Sequence, residues 1–187
     1  MYTIKNLLKD VCCDLSRYEE ECPVFCKQAL LNKIAVALHS PAFFAILIHR
    51  FGYWINVRPK HQNYPLRYCL KGVYYVLRFI SIISTKIVIS QLSVIKGGLY
   101  ISNKGNCIIG VRSMGRNCTI GYSTTIGMGR ENMPPIIGNN VLIGSNTMVY
   151  GKITLGDNAI IEDNTVVSKN IPSGIRVRGN PARMVKE

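Results

Sequence analysis

The second half of this 187-residue chain repeats an aliphatic residue every six positions. One run of the repeat covers residues 108–126, and a second covers residues 137–167. The residues at the repeated position are Ile108, Met114, Ile120, Ile126, Ile137, Ile143, Val149, Leu155, Ile161 and Val167. A glycine follows many of them, and the residue four places further on is mostly small or β-branched. A period of six matches neither the 3.6-residue turn of an α-helix nor the two-residue alternation of a β-hairpin.

Six-residue repeats predict short flat strands, three of which complete one triangular coil of a parallel β-helix. The aliphatic side chain points into the prism, and the glycine or asparagine beside it occupies a tight corner, often with positive φ. Two less regular hexads, at Ile95 and Ile101, raise the number to twelve, which makes four coils. We therefore predict a prism over about residues 95–172. Its interior should contain Ile120, Ile137, Ile143, Leu155 and Ile161.

The repeat is interrupted once, between Ile126 and Ile137, where the step is eleven residues instead of six. Residues 128–135 must therefore leave the coil as a loop. A loop extruded from a rigid repeat is a common place for substrate recognition, although a tolerated insertion would produce the same spacing.

Apolar residues before the repeats follow a helical spacing, and we predict helices in region 1–91. Residues 68–92 are apolar enough to raise the possibility of a membrane span. Lys71, Arg78 and Lys86 interrupt this stretch along one side of a helix. That pattern favours an amphipathic helix packed on protein or lying on a membrane surface, because central cations in a bilayer are costly. The predicted organisation is a helical region 1–91, a β-helix 92–173 and a C-terminal tail 174–187.

Charge is distributed unevenly along the chain. Lys and Arg number 23 against 10 Asp and Glu, and residues 22–130 contain no acidic residue. Such a stretch attracts polyanions and anionic lipid headgroups, although a solvated basic face would look the same. No nucleic-acid-binding motif accompanies the charge, so we expect no nucleic-acid partner and retain an anionic membrane surface as a candidate.

The seven cysteines are an odd number, and the N-terminus has no apolar segment typical of secretion. Both features favour a cytoplasmic protein, with a peripheral position on the inner face of the membrane as a further possibility. No C-x-x-C pair occurs, and we expect no metal site.

The hexads, the extruded loop and the C-terminal sequence resemble those of the hexapeptide-repeat acyltransferases. The C-terminal sequence is Ile171-Pro172-Ser173-Gly174 followed by Arg178-Gly179-Asn180-Pro181-Ala182-Arg183. Residues 49–54 in the helical lead-in are similar to the serine acetyltransferase branch, including its relatives from surface-polysaccharide gene clusters. The resemblance covers about residues 30–185 and implies helices followed by a single-stranded left-handed parallel β-helix.

In that family the thioester of acetyl-CoA lies in a groove between two subunits of a trimer. The resemblance therefore implies acetyl-CoA as co-substrate, a homotrimer, and a small-molecule acceptor with a hydroxyl group on an amino acid or a glycan sugar. It implies that the CoA phosphates lie near Lys169, Arg178 and Arg183, because anionic groups need cations. The pantetheine is expected beside Gly144 and Ser145, with backbone N–H groups of the coil supporting the thioester oxyanion.

The chain departs from the family where the resemblance places two catalytic histidines. Asn103 aligns with the first, and Met133-Pro134-Pro135 occupies the place of the second. All three histidines, His39, His49 and His61, lie in the helical region, and His49 matches a position that packs in the family.

Two residues remain as catalytic candidates. Asn103 cannot accept a proton near neutrality, but its amide can hold an acceptor hydroxyl or stabilise an oxyanion. Glu131 is the only carboxylate within residues 128–135, and it is the candidate general base. Cys107 is expected to be a buried coil residue, since no base is visible beside it.

Two functions remain open at this stage. The first is an acetyl-CoA-dependent O-acyltransferase of serine acetyltransferase type. The second is a catalytically degraded β-helix that binds CoA, a partner enzyme or an anionic membrane. The missing histidines favour the second, and the C-terminal sequence favours the first.

Overall fold

The N-terminal part of the molecule is helical. The structure is a computed structural model that describes residues 3–21, 40–57, 64–102 and 105–185. The helices in these residues are α1 (Ile4–Glu21), α2 (Pro41–Val57) and α3 (Tyr64–Thr85). Helix α2 starts at a proline, which suits the first helical position, and the hydroxyl of Ser40 caps it by accepting the Phe43 N–H.

Short strands make up the rest of the described chain. They are β1 (Ile87–Ile89), β2 (Val94–Ile95), β3 (Tyr100–Ile101), β4 (Cys107–Ile109), β5 (Ser113–Met114), β6 (Thr119–Ile120), β7 (Thr125–Gly127), β8 (Ile136–Ile137), β9 (Leu142–Ile143), β10 (Met148–Tyr150), β11 (Thr154–Leu155), β12 (Ile160–Ile161), β13 (Val166–Val167), β14 (Arg176–Arg178) and β15 (Arg183–Met184).

The strands are distributed among three sheets in rotation. Sheet A has the order β1-β4-β7-β10-β13, sheet B contains β2, β5, β8 and β11, and sheet C has the order β3-β6-β9-β12-β14-β15. The pairings are parallel except for β14 with β15. This rotation gives a left-handed parallel β-helix of about five coils and confirms the predicted fold class.

The β-helix is longer at both ends than we predicted. Strand β1 lies inside the region 1–91 that we assigned to helices, and β14 and β15 lie inside the tail 174–187. The first strand was missed because Ile87-Val88-Ile89 continues the apolar run of α3 without a glycine or asparagine to mark a corner. The four predicted coils are therefore about five.

The interior of the prism is the predicted column of aliphatic residues, and each of the five named above is at most 2% exposed. One assignment was wrong. Ile108 is 53% exposed on the outside of sheet A, whereas Ile109 is 1% exposed and pairs in register with Ile126. Eight residues separate the inward Ile101 and Ile109, and five separate Ile109 and Met114. Together these two steps span thirteen residues instead of twelve. Ile108 lies six residues before Met114 and therefore matched the period, although its side chain is exposed.

The coil corners use asparagine and glycine for different purposes. Positive φ falls mainly on asparagines three residues before an inward aliphatic, for example Asn146 at 55° and Asn164 at 57°. The glycines directly after the inward residues permit close stacking instead. A Cβ on Gly144 would lie 2.6 Å from the backbone nitrogen of Asp163 in the next coil. The predicted corner is confirmed, with the positive φ carried mostly by asparagine.

Helices α1 and α2 are fixed to the first coil by buried polar groups. Arg50 of α2 donates to Asp14 of α1 at 3.0 and 3.1 Å, and it also donates to the carbonyl oxygens of Ile95 and Lys96. The Asp14 carboxylate accepts the backbone N–H groups of Gly98 and Leu99 at 2.7 and 2.8 Å. This network ties two helices to one turn of the β-helix.

Helix α3 is attached mainly by apolar contacts. Ile48 and Ile55 of α2 form a buried cluster with Tyr74 of α3, and Leu70 and Leu77 pack against it. The opposite side of α3 faces away from the protein.

Candidate functional site

The predicted site residues lie at two different edges of the triangular prism. We define the C–A edge, where the chain passes from sheet C to sheet A, as residues 105–106, 121–124, 144–147, 162–165 and 179–182. We define the A–B edge, where it passes from sheet A to sheet B, as residues 90–93, 110–112, 128–135, 151–153 and 168–170. Sheet A separates the two edges within one copy of the chain.

Gly144 and Ser145 lie side by side in the middle of the C–A edge. The Gly144 N–H donates to the carbonyl oxygen of Ile161 at 2.8 Å, and the Ser145 N–H donates to the Asp163 carboxylate at 2.6 Å. These two N–H groups are therefore occupied in stacking one coil on the next. The expected support of an oxyanion by backbone N–H groups of the coil stays a prediction, and so does the placement of pantetheine beside Gly144 and Ser145.

Asn103 lies outside the described residues, so its catalytic role stays a prediction. The step from Ile101 to Ile109 that contains it is two residues longer than the other steps from sheet C to sheet A. The chain therefore has an insertion at the position where the resemblance expects a catalytic histidine.

Two arginines lie together at the C-terminal end of sheet C. Arg178 and Arg183 are opposite each other in the antiparallel pair of β14 and β15, and both are exposed. Residues facing each other in such a pair project from the same side of the sheet. Arg176 is partly neutralised by Glu162 at 3.7 Å. The pair of Arg178 and Arg183 therefore offers adjacent guanidinium groups suited to phosphate.

Glu131 and Lys169 lie at the A–B edge. Residues 128–135 form the predicted loop, which leaves the coil after Gly127 and returns at Ile136. Glu131 is exposed in this loop, and Lys169 is exposed two coils further on. One copy of the chain thus does not bring Glu131 or Lys169 beside Gly144, Ser145 and Arg178.

A groove that was not predicted from the sequence lies on sheet A next to the A–B edge. It has a volume of about 380 Å³ and is lined by Arg78 of α3, by Ser90 and Leu92, and by Ile108 and Met128 of the β-helix. Its formation depends on α3 folding back onto the first coils, which periodicity does not reveal. The sequence signal for this groove is Ile108, an aliphatic residue that the register of sheet A places on its outer side.

Among the described residues, the buried thiols and the buried imidazole do not provide a nucleophile or a base. Burial raises the pKa of the Cys107 thiol above its ordinary value and that of Cys118 to about 11. The Cys107 sulfur lies 3.2 Å from the carbonyl oxygen of Gly121, inside the prism. Burial also lowers the pKa of His49 to about 3, and this residue is 3% exposed behind α3. The structural interpretation of Cys107 and His49 agrees with these surroundings, whereas His39 and His61 lie outside the described residues.

In the described residues, no group of three or more His, Cys, Asp or Glu side chains is arranged to hold a metal ion. None of the helices described in the structure has the length and apolar character needed to cross a membrane.

Comparisons with known proteins agree with this architecture. Residues 134–169 match the family described as bacterial transferase hexapeptide (six repeats). Serine acetyltransferase of Helicobacter pylori strain 26695 is 28% identical over 182 residues, which cover 94% of this chain and 96% of that protein. Serine acetyltransferase of Synechococcus elongatus is 28% identical over 161 residues, covering 84% of this chain and 62% of that longer relative.

The fold is similar to that of solved serine acetyltransferases. The crystal structure of the Neisseria gonorrhoeae enzyme in complex with serine superposes with a TM-score of 0.78 at 26% identity. The superposition covers 98% of this chain and 70% of the Neisseria chain. The likeness therefore extends over both the helices and the β-helix.

Proposed function

We propose that this serine acetyltransferase-like hexapeptide-repeat protein is an acetyl-CoA-dependent O-acyltransferase. The acceptor is a small molecule with a hydroxyl group, either an amino acid or the sugar of a glycan. The observation that supports this proposal is the likeness to serine acetyltransferases over 98% of the chain, helices included. The comparisons do not favour a β-helix that binds without turnover.

The proposed reaction is a direct transfer without an acyl-enzyme. The acceptor oxygen attacks the thioester carbonyl carbon and loses its proton, the C–S bond breaks, and CoA leaves as a thiol. A hydroxyl is a poor nucleophile while it is protonated, so a general base is worth about 100- to 10,000-fold in rate. His49 is buried away from both edges. We therefore assign the base to the carboxylate of Glu131 and the orientation of the acceptor to the amide of Asn103.

In this proposal, a homotrimer brings the two edges of neighbouring copies together. The A–B edge of one copy, with Glu131 and Lys169, would lie against the C–A edge of the next, with Gly144 and Ser145. Arg178 lies next to that second edge, at the end of β14. The CoA phosphates would then contact Arg178 and Arg183 of one copy and Lys169 of its neighbour. The cytoplasmic location belongs to the same proposal, whereas contact with an anionic membrane surface is a separate one.

The decisive experiment measures thiol release from acetyl-CoA in the presence of L-serine or of nucleotide sugars. Release that depends on one acceptor supports the proposal, and the Glu131→Gln variant should then be about 100-fold slower or worse. If the parent binds CoA by calorimetry but releases no thiol with any acceptor, the binding-protein alternative is correct. If parent and Glu131→Gln are equally active, Glu131 is not the base.

A second experiment tests the phosphate contacts. Arg183→Glu should weaken CoA binding by about tenfold or more in calorimetry, because it removes one charge-assisted contact and adds repulsion. Arg116→Glu is the matched control, since Arg116 is an exposed arginine on the edge between sheets B and C. Equal affinities of the two variants would place the phosphates elsewhere.

A further inference from the structure

Helix α3 has an extended apolar face that no described part of the protein covers. Seven of its large apolar side chains are between 47% and 69% exposed. They are Tyr68, Val73, Tyr75, Val76, Phe79, Ile80 and Ile83. We call this set the α3 apolar face. It runs for about 22 Å along the helix at 1.5 Å per residue, and it is much larger than the isolated apolar residues that soluble surfaces normally expose.

The charges around this face all have the same sign. Lys71 and Arg78 lie between the α3 apolar face and the side of the helix that packs on Tyr74, and Lys86 follows the last turn. No acidic residue occurs from residue 22 to residue 130, so none of α2, α3 or the first coils offsets these cations. An apolar stripe bordered by cations, with tyrosines among the apolar residues, is typical of helices that lie in a membrane interface.

We propose that the α3 apolar face docks the protein onto the surface of an anionic lipid bilayer. The apolar side chains enter the boundary between headgroups and acyl chains, while Lys71, Arg78 and Lys86 contact anionic headgroups. Pairing with the α3 helix of a second copy fits this face less well. Pairing two α3 helices would bring two sets of cations together with no carboxylates between them, and like charges disfavour such an interface.

This docking has a consequence for the groove on sheet A. Arg78 borders the α3 apolar face and also lines that groove, together with Leu92, which is 83% exposed. A bilayer contacting α3 therefore lies next to the opening of the groove. The inference does not depend on the proposed acyl transfer, because it concerns the helical region and is measured without acetyl-CoA.

The test is sedimentation of the 187-residue chain with lipid vesicles. We expect binding to vesicles of phosphatidylcholine mixed with phosphatidylglycerol, decreasing as ionic strength rises, and much weaker binding to phosphatidylcholine alone. The double variant Phe79→Ser with Ile83→Ser should bind at least about tenfold more weakly, because it removes apolar surface from the interface. Lys71→Gln should weaken binding about fivefold.

Matched variants control for nonspecific effects. Leu142→Ser with Met184→Ser removes two exposed apolar side chains from sheet C, and Lys152→Gln removes one exposed cation far from α3. Both should bind like the parent. Circular dichroism on heating should show that Phe79→Ser with Ile83→Ser remains folded, since both side chains are exposed.

Three results would overturn the proposal. The first is a parent protein that does not sediment with anionic vesicles. The second is equal weakening by the variants in α3 and their controls. The third combines two observations: the parent does not bind vesicles, and light scattering shows that Phe79→Ser with Ile83→Ser dissociates its oligomer. That result would identify the α3 apolar face as an interface between copies.

Discussion

The β-helix and the helices that cover its first coil are stabilised by different kinds of contact. In the β-helix each coil repeats the same elements, namely an inward aliphatic side chain, parallel backbone pairing and a left-handed corner residue. Helices α1 and α2 are held by contacts that each occur once. In one of them, Asp14 and Arg50 meet the backbone of residues 95–99. In another, the Tyr18 hydroxyl donates to the carbonyl oxygen of Ile101 and accepts its N–H. A repeated element can be lost from one coil while its neighbours persist, whereas the contact of Asp14 with Arg50 is not repeated elsewhere in the described residues.

Placing a charge inside the prism should reduce the free energy of unfolding more than any other change considered. Ile143→Asp should destabilise the protein by about 5 kcal/mol, because it buries an unpaired carboxylate and removes an aliphatic side chain from the column. The neighbouring Leu142→Asp, on the exposed side of the same strand, should cost less than about 1 kcal/mol. Chemical denaturation of both variants measures the difference. If Ile143→Asp unfolds like the parent, the inward assignment is wrong.

The helical network should be nearly as sensitive to a single change. Arg50→Ala leaves the Asp14 carboxylate buried without its cation, and a loss of about 3–5 kcal/mol is expected. Arg176→Ala is the control, since its ion pair with Glu162 is partly exposed and worth at most about 1 kcal/mol. Denaturant midpoints that shift equally in the two variants would show that the buried network contributes no more to stability than the partly exposed ion pair.

Buried His49 should make stability depend on pH in a direction that can be stated. Its folded pKa, about 3, is below the ordinary value of 6.5, so below pH 6.5 the unfolded state binds the proton more readily. The His49 contribution is therefore complete above about pH 6.5 and is lost as pH falls towards 3. At pH 5 the loss is about 2 kcal/mol relative to pH 8. His49→Leu should lack this part of the decrease when denaturation is followed across that range, and an unchanged slope would contradict the assignment.

The smallest expected effect concerns the corners of the coil. Asn164→Ala should cost about 1 kcal/mol, because a left-handed conformation is unfavourable for alanine. Asn164→Gly should be neutral to within a few tenths of a kcal/mol, since glycine adopts positive φ readily. Thermal melts compare the two variants. Equal destabilisation by alanine and glycine would mean that the asparagine side chain, and not its φ, is required.

The same contrast explains what could be predicted from the sequence. The column containing Ile120, Ile143 and Ile161 follows from a period that occurs repeatedly, so one irregular hexad does not hide it. The inward position of Ile109 was missed because Ile108, its neighbour, lies six residues before Met114 and matched the period. The contact of Asp14 with Arg50 joins residues 36 positions apart, and no local pattern marks it.

The candidate site was less predictable than the fold, for a geometric reason. Residues on one edge are separated in sequence by whole coils. Their sequence separation therefore predicts the edge on which they lie only if every step between them has six residues. Gly144 and Ser145 met this condition and lie on the C–A edge. Arg178 follows an irregular step and lies at the end of β14, next to that edge. The irregular step from Val167 to Ile171 is four residues long, and Lys169 lies within it at the A–B edge, directly after β13 of sheet A.

The short C-terminal strand β15 also determines where growth of the β-helix ends. A parallel solenoid exposes unpaired backbone groups at its last coil, which are a template for adding strands from another molecule. Here β15 runs antiparallel along β14, and the 179–182 turn covers β13: Val166 donates to Gly179 and accepts from Ala182 at 3.0 Å. With α1 and α2 over the first coil, both ends of the column are closed. The C-terminal segment thus protects the protein against end-to-end fibre formation, and removing residues 179–185 is expected to convert a discrete particle into an aggregating one.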